Sequence, residues 1–111
     1  MTYEEEIKFF RKLTDKMCAI FAAKRNDYGP STRETWLKYG PISMLTRMSD
    51  KMARLEQLLL NNKDNKVQNE SIDDTFLDLA NYCLIAILER ETIARSHSPD
   101  SENEIVGPAN L

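Results

Sequence analysis

With 111 residues, a formal net charge of −3 and a hydrophobic fraction of 41%, the chain has the length of one domain able to bury a core, and charges of both signs are mixed along it. That charge pattern lacks the basic stripe of a duplex-binding protein, so no nucleic-acid polymer is expected as a partner. No apolar run approaches the ~20 residues that cross a bilayer, and Thr2-Tyr3-Glu4-Glu5-Glu6 is acidic where a signal peptide is basic, so a soluble, cytoplasmic protein with no membrane partner is expected.

Thr2 with Glu5 forms a capping box, and Ile7, Phe10, Leu13, Met17, Ile20 and Phe21 then recur at three- and four-residue steps, which predicts a helix from Tyr3 to Lys24. Arg25-Asn26-Asp27-Tyr28-Gly29-Pro30 reads as a turn. Ser31 with Glu34 forms a second box and opens a short helix through Trp36 and Leu37 that stops at Gly40. Pro41 suits the first turn of a third helix, carried to Leu60 by Leu45, Met48, Met52, Leu55 and Leu59. The stretch 61–66 is polar and without period, hence a loop. Ser71 is expected to cap the last helix, with Asp74 at the capping-box position, and the pattern runs to Ala94. Residues 1–95 are therefore expected to form a single helical domain, and the apolar-poor 96–111 a flexible C-terminal tail. With no strand pattern, the class is all-α: a small helical bundle of three long helices and one short. Cys18 and Cys83, both among apolar neighbours on helices, read as free buried thiols.

The last helix holds the most informative stretch. Between Ser71 and Leu88 an apolar run carries one thin polar line, Asp74, Asp78 and Asn81, at i, i+4 and i+7. A helix apolar around most of its circumference is expected to be central. Two readings stay open: the line simply faces solvent, or, since a buried carboxylate costs several kcal/mol unless it is paired, Asp78 meets a metal ion, a cation or hydrogen-bond donors. Asp73 and Asp74 also suit the first turn of a helix through the macrodipole.

On the third helix Arg47 and Arg54 lie two turns apart with Lys51 between them and Asp50 beside it. Such a ridge suits phosphates through its cations and Mg²⁺ through its acid. Asp50, however, lies almost opposite the apolar stripe, so a solvated face is the simpler reading unless another element covers that side. Tyr28 and Trp36 offer aromatic faces near Lys24, Arg25 and Arg33. Stacking on a nucleobase and pinning a loop to the bundle both remain open for them. Asn81 suits a base or a ribose.

Taken in order, Asp27-Tyr28-Gly29, Trp36, Arg47, Asp50-Lys51, Arg54-Leu55, Asp73-Asp74-Thr75 and Asp78-Leu79-Ala80-Asn81-Tyr82 resemble the phage- and bacteria-associated "nucleotide modification associated" domain family over about Lys24 to Leu88. More distantly, the pattern is similar to the all-α nucleoside triphosphate pyrophosphohydrolases of the MazG-like superfamily, with E-x-x-E on one helix and E-x-x-D on a later one. The resemblance implies a MazG-like bundle that binds Mg²⁺ and releases a nucleoside monophosphate and pyrophosphate. It implies catalytic roles for Asp50 and Asp78, a metal set of Asp50, Asp74 and Asp78, phosphate contacts from Arg47, Lys51 and Arg54, and base or sugar contacts from Tyr28, Trp36 and Asn81. Arg47 and Thr75 stand where two glutamates of that pattern belong, with Asp74 a possible substitute, so half of the metal shell departs from it.

Three readings follow. The first is a Mg²⁺-dependent nucleoside triphosphate pyrophosphohydrolase. The second is a non-hydrolysing phage protein that sequesters a nucleotide or a nucleotide-derived defence signal. The third is a helical interaction module without a ligand. In all three the apolar surplus of the last helix favours a homo-oligomer.

Overall fold

A computed structural model describes residues 1–60 and 66–97, the side chains of 66–70 and 97 excepted. The described residues form four helices and no strand: α1 (Tyr3–Tyr28), α2 (Ser31–Tyr39), α3 (Ile42–Leu60) and α4 (Lys66–His97). The fold is an all-α small bundle of three long helices and one short. No described helix is long and apolar enough to cross a membrane.

The chain divides into two compact units, Met1–Ser31 and Thr32–Leu111. In the first, the Thr2 hydroxyl accepts from the Glu5 N–H, and the Glu5 carboxylate accepts from the Thr2 N–H. This reciprocal cap satisfies two donors that a helix start leaves unpaired. The helix does not stop at Lys24 as its periodicity predicts. It runs four residues further, because Arg25, Asn26, Asp27 and Tyr28 tolerate an exposed helix end, and ends where Gly29 takes φ 69° and donates to the Arg25 carbonyl.

In the second unit, Gly40 ends α2 at φ 85°, donating to the Trp36 carbonyl at 2.7 Å. Its own carbonyl accepts from the Ser43 N–H and hydroxyl, so one residue closes α2 and opens α3. The helix α3 turns Met44 and Leu55 inward, 1% and 4% exposed, with Met48 and Leu58 half-buried beside them. It packs against α4. Lys51 meets Asp78 and Met48 meets Cys83, so rising along α4 means descending along α3, and the two run antiparallel.

Two expectations for α4, and one for the cysteines, are corrected. It starts at Lys66, so Ser71 is no cap but an interior residue whose carbonyl accepts the Thr75 hydroxyl. The preceding residues Lys66-Val67-Gln68-Asn69-Glu70 include good helix formers, which is why the helix extends back. It also runs past Arg95 through Ser96 and His97, where a tail was expected. The rest of that tail, 98–111, and the loop expected at 61–65 lie outside the described residues. Cys18 and Cys83 are free thiols as expected, but both are exposed rather than buried.

The orientation of α4 is unusual. Thr75 and Glu89 are its buried residues and Asp78 is half-buried, while Phe76 and Ile87, 49% and 56% exposed, point away with Leu84. Of its polar line Asp78 and Asn81 are half-buried and Asp74 is exposed, while much of its apolar surface faces out.

Candidate functional site

Three features of the second unit carry polar chemistry. The first lies across the α3–α4 seam, where Lys51 Nζ stands 3.1 Å from Asp78 Oδ2 and both side chains are a little over a quarter exposed. Asp78 needed a counter-charge, and the cation that answers it comes from the ridge expected to hold phosphates. An ammonium at this distance neutralises the carboxylate in a partly dry setting, where the pair is stronger than on open surface.

The second is an open cleft of about 320 Å³ between α2 and α3, lined by Thr35, Tyr39, Ile42, Ser43, Thr46 and Arg47. It lies beside the Gly40 elbow, where the end of α2 meets the first turns of α3. Asp50 lies one turn further along the cleft side of α3 and is exposed. The Thr35, Ser43 and Thr46 hydroxyls each donate to the carbonyl three residues earlier. Arg47, half-buried, supplies the cationic wall, and Tyr39, largely exposed with Lys38 Nζ over its ring at 5.4 Å, the aromatic one. The volume is at the lower end of the usual range for small-molecule sites. A larger depression on α1, about 510 Å³, is bordered by residues of one helix only, so no second wall encloses a ligand there.

The third was not read from the sequence. Glu89 is wholly buried, accepts from the Thr32 hydroxyl at one carboxylate oxygen, and accepts from Arg33 Nε at 3.0 Å at the other. Thr32 and Arg33 are consecutive residues of α2, so one carboxylate of α4 holds two successive side chains of that helix. A signal for it existed: Glu89 stands eleven residues after Asp78, three turns along the same face, and so extends the line of Asp74, Asp78 and Asn81.

The other expected site residues are spread more widely. Asp50, Asp74 and Arg54 are exposed, and Asn81 and Trp36 are half-buried. Tyr28 is exposed at the end of α1, in the first unit. Among the described residues no three His, Cys, Asp or Glu side chains form a group that could hold a metal ion, so Asp50, Asp74 and Asp78 do not make a preformed metal shell. Arg47 and Lys51 are the expected phosphate residues that the fold places at a cleft and at a helix seam.

The model of the family described as "Nucleotide modification associated domain 1" matches residues 24–89. No curated protein and no solved structure matches the chain. The matched stretch takes in the Gly40 elbow, the cleft and the Lys51–Asp78 seam, and its last residue is Glu89, which fastens α2 to α4. Since it spans more than half of the sequence, the chain belongs to the nucleotide modification associated domain 1 family.

Proposed function

We propose that this protein binds a nucleotide in the α2–α3 cleft, with Arg47 holding phosphate and Tyr39 stacking on the base. The observation that carries this reading is that Arg47, a guanidinium suited to forked phosphate contact, shares one opening with the Tyr39 ring and the Ser43 and Thr46 side chains. Stacking supplies about 1–3 kcal/mol for any base. The hydroxyl oxygens suit the amino or ribose donors of a nucleoside. The family's description, which concerns nucleotides, supports the same class of ligand. The cytoplasm, where free nucleotides are abundant, is the compartment that fits.

Binding without hydrolysis is the favoured form, because it asks nothing of Asp78, whose carboxylate Lys51 already engages. Hydrolysis is kept as a second reading on one observation: Asp50 lies one turn beyond Thr46 and Arg47, on the cleft side of α3. Mg²⁺ commonly uses one or two carboxylates together with the phosphates of its substrate, so Asp50 is the residue that would hold it beside a phosphate bound to Arg47. When bound there, the ion would supply charge neutralisation for a pyrophosphohydrolase of the MazG-like kind.

Calorimetry with a panel of nucleotides and cyclic dinucleotides, with and without Mg²⁺, tests both forms. The expected result is binding that Arg47→Ala weakens at least tenfold, in line with about 1.5–3 kcal/mol for a hydrogen bond to a charged group, with ligand recovered unchanged. Mg²⁺-dependent pyrophosphate release abolished by Asp50→Asn would replace sequestration by hydrolysis. If no member of the panel binds, the nucleotide reading fails and an interaction module remains.

A further inference from the structure

We infer that the outward face of α4 pairs with the same face of a second copy of this chain, antiparallel, about a twofold axis passing between Asn81 and Tyr82. The evidence begins with spacing. Asp73, Phe76, Ala80, Cys83, Ile87 and Arg90 alternate steps of three and four, the a and d positions of a heptad repeat. Asp73, Phe76, Ala80 and Ile87 lie on a side of α4 turned away from Thr75, Asp78 and Glu89, and Cys83 and Arg90 lie along the margin of that side. Asp73, Phe76, Cys83 and Ile87 are exposed, and Ala80 and Arg90 half-exposed. An apolar seam of this length left open to water is what a helix shows when its partner is another molecule.

The occupant is identified by charge. In an antiparallel pair an a position meets a d position of the other helix, so residues whose numbers share one sum stand opposite each other. With the axis between Asn81 and Tyr82, Phe76 meets Ile87 of the second copy, Ala80 meets its Cys83, and Asp73 meets its Arg90. Each contact occurs twice, as a twofold interface requires. Four apolar layers are thus closed at both ends by opposite charges, about 26 Å apart along the helix. Asp73 and Arg90 form no ion pair with any described residue of their own chain. The parallel alternative would set Asp73 against Asp73 and Arg90 against Arg90, two repulsive contacts. An unrelated helix has no reason to present charges in this reversed order.

The neighbouring helix widens the surface. Leu45, Met52 and Leu59 recur every seven residues on α3 and are exposed, and the Cys83 thiol lies 3.9 Å from Met48 Sδ where the two helices meet. An antiparallel helix pair sharing one open apolar face is half of a four-helix bundle, and a twofold copy supplies the other half. The pairing uses neither Arg47 nor the cleft, so it stands or falls independently of the nucleotide reading.

Sedimentation of the full chain at micromolar concentration tests the pairing, with circular dichroism confirming that each variant keeps its helices. The wild type is expected at twice the 12.9 kDa chain mass. Asp73→Arg and Arg90→Asp each weaken association at least tenfold, and the double variant restores it to within about threefold of wild type. Added salt strengthens association of the single variants, whose repulsion it screens, and weakens that of the wild type. A monomeric wild type would overturn the pairing. So would single variants that associate normally, or a double variant that stays apart.

Discussion

Arg33 reaches the wholly buried Glu89 through Nε at 3.0 Å, and the Thr32 hydroxyl occupies the other oxygen of the same carboxylate. Both oxygens are therefore satisfied from α2, and the contact is the fastening between α2 and α4. Glu89→Leu removes the charge and leaves the Arg33 guanidinium and the buried Thr32 hydroxyl without this acceptor. Losing one member of a buried pair costs about 3–5 kcal/mol. Because Arg33 is about a third exposed and can rehydrate, the lower end is expected. Glu89→Gln, which keeps an acceptor, costs less, about 1–2 kcal/mol. Urea unfolding at unchanged slope reads both. Equal costs for the two variants would show that the acceptor retained by Gln contributes nothing.

The Lys51–Asp78 pair is a more modest contributor, since each partner retains contact with water. A double-mutant cycle with Lys51→Met and Asp78→Asn is expected to give a coupling of about 0.5–1 kcal/mol, decreasing in high salt. A coupling of zero at low salt would mean that the ammonium and carboxylate do not meet in solution.

At Gly40 a Cβ would meet nothing within 4 Å, so the cost of a side chain there is backbone strain alone. With φ at 85°, Gly40→Ala is expected to destabilise by about 1–2 kcal/mol. The cleft loses its set opening as the elbow relaxes, so nucleotide affinity falls along with stability. Gly40→Asn, better tolerated at positive φ, loses less on both counts. Thermal melts and calorimetry on the two variants decide it.

Much of the architecture was legible because amphipathic spacing and caps are local. The Thr2–Glu5 box and the stop at Gly40 needed only neighbouring residues. What was not legible was which side of α4 turns inward. A helix apolar around most of its circumference offers no single stripe, so spacing alone cannot choose between the side with Phe76 and Ile87 and the side with Thr75 and Glu89. Tertiary pairing made the choice: the carboxylates needed partners, and Lys51, Thr32 and Arg33 are found on other helices. The same ambiguity is why Cys83, among apolar neighbours in sequence, lies at the surface. Arg47 was legible as a phosphate candidate, whereas Tyr39 acquires its candidate role only from its place beside the elbow.

The two attachments of α2 together have a mechanical consequence. One end is tied to α3 by a single left-handed residue and the other is tethered to α4 by a carboxylate, so the helix behaves as a strut braced at both ends. On the nucleotide reading, a guest entering beside Arg47 would meet walls set before it arrives, and little of their ordering would be charged against its affinity. Selectivity among guests then comes from fit to those walls, and slackening either brace should broaden the range accepted before it abolishes uptake.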